Sequence, residues 1–407
     1  MALGIGTETD VYFFALSFCL FATGILENTI HANAVTVFAS AQRFGPDRLK
    51  SAVWRVVVGS TSAAALGFGV LAMIGTFAIE SNDDWSSHTQ HIGVVTLWIF
   101  SATVVASAAS SVYAATLYSV GAFFTAPATV AFRSIGALAS LPVTRGTELA
   151  LPGLAIGLAV GETVRVSLLR RAVIRELKPV TKHGAPPEGS VPSLIKPSMP
   201  YALSISFSQA TPVVDRAIGS SLGPGTVTTI DLSEKVFFVP MTVMWSSIVV
   251  VSGARWSHLA ATERRDLLVA DFRQTIRRSL WLSSAIAAGM GACLVAATAV
   301  IGPTFAGMDA TRILWVSLIL LAGLPPAAVA ALAGRYLSAA RRTTSLPLFS
   351  ATALAMSTST SIVGAHYVGI FGIVLAATAT RWTMAAAFYA KCVSGGVAPT
   401  EPRIVTK

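Results

Sequence analysis

The chain has 407 residues, 54% of them hydrophobic and 12% charged, with a mean hydropathy of +0.68. That charged fraction is about half of the ~25% usual in soluble domains, so a set of ordinary water-soluble domains is excluded. The net charge of +10 does not make a nucleic-acid binder, because the basic residues fall in alternate loops between apolar runs rather than in one patch.

A helix that crosses a bilayer needs ~20 mostly apolar residues. In chain order such runs are Val11 to Phe38, Val56 to Ile79, Ile92 to Leu117, Phe124 to Leu141, Leu149 to Leu169 and Tyr201 to Leu222. They continue with Val227 to Val251, Leu280 to Ile301, Ile313 to Leu337, Pro347 to Gly364 and Val368 to Ala390, eleven in all. No strict alternation of apolar and polar residues occurs, which excludes a β-barrel. Small residues crowd the spans, as in Ser101 to Ser111, and suit closely packed helices. Cys19, Cys293 and Cys392 lie far apart with no metal or redox spacing, and they are expected to be packing residues.

With these spans, one set of loops collects Arg43, Arg48, Lys50 and Arg55, then Arg170 to Lys196, then Arg255 to Arg278, then Arg335, Arg341, Arg342 and Lys391. The opposite loops hold Arg145 and Arg312 among Glu8, Asp10, Glu80, Asp83, Asp84, Glu148 and Asp309. The positive-inside rule then places the basic loops and the C-terminus in the cytoplasm and the N-terminus outside, in a bacterial cytoplasmic membrane. An outside N-terminus with nothing ahead of it to carry it across leads to the expectation that a first helix is missing.

An internal match supports the same expectation. Leu3-Gly4-Ile5-Gly6-Thr7-Glu8-Thr9 corresponds to Leu222-Gly223-Pro224-Gly225-Thr226-Val227-Thr228, and each copy leads into an aromatic helix and then a basic loop. The second copy follows a spanning helix and the first does not. The expected architecture is an all-α polytopic membrane protein of about eleven spans, in two pseudo-repeated bundles of five and six around a central cavity. The domains are then 1–169, a helical lobe; 170–198, a basic linker rich in Pro and Gly; 199–391, a second lobe; and 392–407, a cytoplasmic tail. Within the loop from Arg255 to Arg278, Trp256, Leu259, Leu267, Leu268, Phe272 and Ile276 alternate with charges at helical spacing. Two readings stand equally: an interfacial helix on anionic lipid, or a solvated extension of the flanking spans.

Ionisable residues inside spans cost several kcal/mol unless they face a partner or a water-filled cavity, so they are default site candidates. Asp231, Glu234 and Lys235 share one helical face, with Asp231 and Lys235 in the favourable acid-first spacing. Lys235 lies roughly 12 Å below the outer end of its helix, near mid-membrane. These three, with Arg133 and Arg216, are candidate substrate contacts. Glu27, Asn28, His31, Asp215 and Asp10 are candidates for a coupling ion or proton relay, because Glu27 and His31 are four apart and histidine titrates near neutral pH. A structural hydrogen bond between them is the competing explanation. Of Asp215 and Arg216, neighbours in sequence, one is expected to face the cavity and the other to snorkel. Arg381 is either a cavity cation or the partner of a carboxylate, and Glu162 with Arg165 reads as an interfacial pair. No Walker loop, metal-spaced His/Cys set or nucleophile-and-base arrangement is present in the sequence, so neither an enzyme, a cofactor nor a metal is expected.

Asp10-Val11-Tyr12-Phe13-Phe14-Ala15 after Gly4-Ile5-Gly6 resembles the entry to the second helix of the MurJ/MviN lipid II flippases, in the multidrug/oligosaccharidyl-lipid/polysaccharide exporter superfamily. Val213-Val214-Asp215-Arg216, Ser221 to Gly225 and Glu234 to Pro240 resemble that family's seventh and eighth helices in order and spacing. Phe124 to Pro127 resembles the start of its fifth helix, and Arg335-Tyr336 through Pro347 its tenth-to-eleventh junction. The resemblance implies alternating access and a pyrophosphate-linked sugar lipid moved from the cytoplasmic to the outer leaflet. It places Lys235 where the family has a cavity arginine, and Asp10 and Glu234 at acidic family positions. The chain departs from the family in lacking the arginine-bearing first helix, in having Thr23 where a further cavity arginine stands, and in lacking the last two helices. Two alternatives remain at this stage: an ion-coupled antiporter of the same superfamily, with Glu27, Asp215 and Asp231 unpaired, or a non-transporting membrane scaffold. The expected partners are a lipid-linked glycan or other amphipathic substrate and membrane lipids, with no nucleic acid; the sequence does not specify an oligomeric state.

Overall fold

The computed structural model describes residues 6–42, 45–122, 124–144, 150–177, 195–261, 265–302, 304–305, 308–340 and 343–394. The helices are α1 (Thr7–Gln42), α2 (Pro46–Glu80), α3 (Ser87–Ser119), α4 (Thr125–Thr129), α5 (Ala131–Thr144), α6 (Ala150–Glu176) and α7 (Ile195–Ser220). They continue with α8 (Thr226–Met244), α9 (Val250–Ala261), α10 (Arg265–Ile301), α11 (Ala310–Leu321), α12 (Leu324–Ala339), α13 (Leu346–Val368) and α14 (Ile370–Ser394). Two-residue strands at Thr304–Phe305 and Met308–Asp309 pair antiparallel before α11. Helices dominate because in hydrocarbon each backbone N–H and C=O must be satisfied within its own segment.

Among the described residues, ten helical segments are long and apolar enough to cross a membrane. They coincide with ten of the eleven expected spans. The eleventh, Tyr201 to Leu222, is helical within α7 but is not among the ten. Ser204, Ser206, Ser208, Gln209, Asp215 and Arg216 make α7 polar, and Ser206 and Ser208 donate to carbonyls one turn back, at 2.9 and 3.1 Å. α7 lies against α1 so closely that a Cβ on Gly24 would sit 2.6 Å from the side chain of Gln209.

The chain divides into two compact units, Met1–Thr228 and Thr229–Lys407. α7, at the start of the expected second lobe, therefore belongs by its packing to the first unit. In that unit α3 is central, packed by α1, α2 and α6. The aromatic residues after Asp10 fill its core: Tyr12 meets Phe100 at 5.9 Å and Phe14 meets Trp85 at 5.6 Å between ring centroids. α5 buries no residue of its own and is attached along α6. The close approach is made by glycine, because a Cβ on Gly136 would lie 2.2 Å from the carbonyl oxygen of Gly157.

In the second unit α10, α12 and α14 pack together, with α11 and α13 also against α14. α8 passes through Pro240 without a break and runs into one π-helical turn, Trp245–Val249, before α9. Trp256, Leu268, Phe272 and Ile276 are buried, not laid on lipid. Trp256 packs on Phe272 and Tyr336, and its indole N–H donates to Asp271 at 2.7 Å. Most of the apolar face is thus consumed in tertiary packing, with Leu267 left 52% exposed.

The turn between α13 and α14 uses Gly369 at φ +64, and it brings Gly364 and Gly372 backbone to backbone. Substituting Gly372→Val is expected to destabilise the protein by about 1–3 kcal/mol, seen as a lower melting temperature in detergent. Gly69→Ala, where an added Cβ meets nothing, should leave it unchanged or slightly raised.

Candidate functional site

Four helices of the first unit converge on one buried ionic cluster. Arg133 on α5 donates from Nε to Glu162 Oε2 at 2.8 Å, and from Nη2 to Glu27 Oε1 at 2.9 Å and Ser107 Oγ at 2.7 Å. Arg165 Nη1, one turn along α6, reaches Glu162 Oε1 at 3.1 Å and Glu27 Oε1 at 3.6 Å. Ser110 Oγ donates to Glu162 Oε1 at 2.6 Å. Gly161 makes the geometry accessible, since a Cβ there would lie 3.0 Å from the Arg133 Cα. Two carboxylates balance two guanidiniums, which is the condition for holding charge at this depth.

The cluster is graded in exposure. Glu162 is fully buried at 0%, whereas the side chains of Arg133 and Glu27 are 21% and 31% exposed. Glu162 and Arg165 are therefore not an interfacial pair: both are buried, and they serve as the anchor of the cluster. Arg133 is not a lone cation, because two carboxylates hold it. Glu27 spends its carboxylate on Arg133 and Arg165, and Asn28 donates to the carbonyl of Gly24 at 2.8 Å in its own helix. The side chain of His31, expected to pair with Glu27, lies outside the described residues.

Asp10 occupies a second buried site. Its carboxylate accepts from the backbone N–H of Gly225, from the N–H of Thr228 at 2.8 Å and from the Thr228 hydroxyl at 2.7 Å. This caps the N-terminus of α8, where the helix leaves its first N–H groups unsatisfied and an anion is favoured. The Thr9 and Thr228 hydroxyls, equivalent positions in the two copies of the repeat, lie 3.2 Å apart. The first turns of α1 and α8 thus meet. Nearby on α7, Asp215 and Arg216 are both buried, so neither snorkels to the surface; Arg216 Nη1 donates to the Pro212 carbonyl at 3.3 Å.

In the second unit, the expected pair on α8 forms, with Lys235 Nζ 2.8 Å from Asp231 Oδ2. Asp231 and Glu234 are buried while the Lys235 side chain is 57% exposed, so the shared face has a buried acidic side and an open basic tip. The guanidinium of Arg381 lies 4.3 Å above the ring of Phe237, one turn beyond Ser233.

The family model described as Lipid II flippase MurJ matches residues 1–396. The chain belongs to this family. A search of curated proteins by sequence finds no match. Among solved structures, the fold is similar to one described as "Lipid II flippase MurJ, inward closed conformation", at TM-score 0.69 and 15% identity over 96% of this chain and 82% of that one. It is also similar to the inward-facing conformation of a multidrug resistance MATE family transporter, at TM-score 0.72 and 11% identity over 97% of this chain and 96% of that one. An outward-facing conformation of a MATE family transporter gives 0.68 and 12%, over 96% and 87%. At such identities the structures speak for the fold alone, and the family match carries the assignment. The MurJ family is one of flippases, not of enzymes, and membership with ten apolar helices makes this a multi-pass inner-membrane protein acting on a lipid-linked substrate.

In this MurJ family member, sequence reasoning missed Ser107 and Ser110 and read Glu162 and Arg165 as an interfacial pair rather than as part of the cluster. The signal was present as Glu162 and Arg165 on one helical face, in a helix whose neighbouring spans offer Arg133 and Glu27. Removing the charge with Glu162→Gln leaves Arg133 and Arg165 sharing Glu27 alone. The expected loss is about 3–5 kcal/mol of stability, the cost of breaking a buried ion pair, measured by thermal unfolding in detergent. Arg133→Gln added to Glu162→Gln should recover part of that loss, the sign of direct coupling in a double-mutant cycle.

Proposed function

We propose that this protein flips a lipid II-like, pyrophosphate-linked sugar lipid from the cytoplasmic to the outer leaflet by alternating access, with Lys235 contacting the anionic headgroup. The observation that carries this is the 57% exposure of Lys235 in the middle of an apolar helix. An ammonium open to hydrocarbon at that depth costs several kcal/mol, so the side chain is placed in water. Asp231 forms an ion pair with the amine at 2.8 Å and holds it in position at the exposed tip of the pair. Glu234, buried beside it, keeps the site from retaining a tightly bound anion.

Glu27 and Arg133 form the partly exposed edge of the other cluster, and we assign them to coupling. Arg133 is shared between Glu27 and Glu162, so a change at the Glu27 contact bears on the position of α5. Arg216 and Asp215 are buried supports of the same machinery, and Asp10 acts by fixing the start of α8 rather than by carrying an ion. The basic loops are assigned to the cytoplasm, with the N-terminus outside and the C-terminus inside. An antiporter for cationic compounds would need carboxylates held ready for its cargo; Glu27 and Asp231 already hold Arg133 and Lys235, which favours the flippase.

The test is outer-leaflet accessibility of lipid-linked precursor to a membrane-impermeant cleaving enzyme in cells that depend on this protein. Lys235→Ala should lower the accessible fraction by at least about tenfold, and Lys235→Arg should retain most of it. Membrane levels of each variant are measured in parallel by immunoblot. Undiminished accessibility in a Lys235→Ala protein present at normal level would remove Lys235 from the substrate site.

A further inference from the structure

The basic stretch from Arg255 to Arg278 contributes three arginines on α10 that no site above uses. Arg255 is neutralised by Asp271 at 2.7 Å. Arg273, Arg277 and Arg278, all exposed on the third and fourth turns of α10, have no carboxylate partner among the described residues. Below them opens a groove of about 800 Å³ between α10, α12 and α14, a size typical of ligand pockets, which run to ~300–1,000 Å³. Arg273 and Arg277 stand at one end of it, and Leu280, Val329, Trp382 and Tyr389 line it further along.

The depths match an upright lipid. From Arg273 to Leu280 α10 descends seven residues, ~10 Å, and from Tyr389 to Trp382 α14 spans the same distance. The two helices thus give the groove a cationic, aromatic mouth and an apolar shaft. Tyr389 at the mouth stacks on Phe272 at 6.2 Å between centroids, so the rim is fixed by the buried aromatic cluster. Trp281, 76% exposed on the same turn as Arg277 and Arg278, is a residue of the kind that anchors a helix at headgroup level.

We propose that this groove is a binding site for an anionic diacyl phospholipid of the surrounding leaflet, with the phosphate held by Arg273 and Arg277 and one acyl chain lying along Leu280, Val329 and Trp382. Charge complementarity selects the occupant: two unpaired guanidiniums at headgroup level match a phosphate, and an apolar shaft matches a hydrocarbon tail. A neutral zwitterionic lipid fills the shaft equally but leaves a quaternary amine beside the arginines. The site is independent of Lys235 and of the proposed transport reaction.

The test reads quenching of tryptophan fluorescence in the purified full chain, reconstituted in phosphatidylcholine with a small mole fraction of lipid brominated on its acyl chains. Brominated phosphatidylglycerol is expected to quench more than brominated phosphatidylcholine at equal mole fraction, and the excess should vanish in Trp382→Phe. Arg273→Gln with Arg277→Gln should reduce the preference for the anionic lipid by roughly 10- to 30-fold, taking about a factor of five per arginine. Equal quenching by the two lipids in the unsubstituted protein would overturn the proposal, a result independent of whether the variants fold. Excess quenching that survives the double substitution in a protein that elutes normally would also overturn it. Displacement of the brominated lipid by a polyprenyl phosphate at lower mole fraction than by unlabelled phosphatidylglycerol would reassign the groove to the transported lipid and likewise overturn it.

Discussion

α5 buries none of its residues, so the apolar surface that usually fixes a helix to its neighbours is turned outward. What holds it is a glycine seam along α6 and one guanidinium. The carbonyl of Gly157 comes within 2.2 Å of where a Cβ on Gly136 would be, which brings backbones close enough for dispersion but gives little directional preference. Arg133 supplies direction, because its three N–H contacts to Glu162, Glu27 and Ser107 tie α5 to α6, α1 and α3 together. In hydrocarbon that arginine has no alternative partner in water, so the position of α5 is set by where two carboxylates are available. The first unit is organised by charge balance as much as by packing.

The same constraint explains why Asp10 sits where it does. A carboxylate buried in a helical bundle needs donors, and the first turn of α8 has backbone N–H groups that need an acceptor. The two deficits cancel at Gly225 and Thr228. Because these residues belong to the second copy of the repeat and Asp10 follows the first, the repeated Gly-x-Gly-Thr segment acts as a joint between the starts of two helices. Counting from Leu3 and Leu222, the residue at Asp10's register in the second copy is Thr229, so the capping relation runs one way. The identity of Asp10 is thus accounted for by an N-terminus it must satisfy.

Much of this was legible in the sequence wherever one helix contained both members of an interaction. Asp231 and Lys235 are four apart, and their pairing follows from helix geometry alone. Ten apolar stretches were readable because length and hydropathy are properties of a segment. The ionic cluster was not, since Arg133 and Glu27 are 106 residues apart and only the packing of α5, α3 and α1 brings them together. Arg381 over Phe237 is of the same kind. Trp256 and Phe272 show the complementary limit: their helical spacing marks an apolar face correctly, but the sequence does not say whether lipid or another helix covers it, and here it is Tyr336. α7 is the case in which the expected span and the hydropathy of the helix part company: its serine hydroxyls bond within their own helix, which lowers their cost in hydrocarbon, yet they count as polar on any scale.

Set side by side, the charges fall into two regimes that follow from solvent. In the apolar spans, Arg133 and Arg165 are matched by Glu27 and Glu162, as low dielectric requires, and the buried Asp231 is matched by the exposed Lys235. Around α9 and the first third of α10, Arg255 on α9 is matched by Asp271, and Arg273, Arg277 and Arg278 have no carboxylate partner among the described residues. Most of the net charge of +10 therefore resides where water and lipid headgroups can neutralise it, and little of it lies in the spans. An interior that is neutral overall can release or admit a single anion or proton with a small change in energy, whereas a strongly charged interior would hold its ligand. That balance, rather than a large cationic surface, is what a carrier needs if it must both take up an anionic headgroup and let it go.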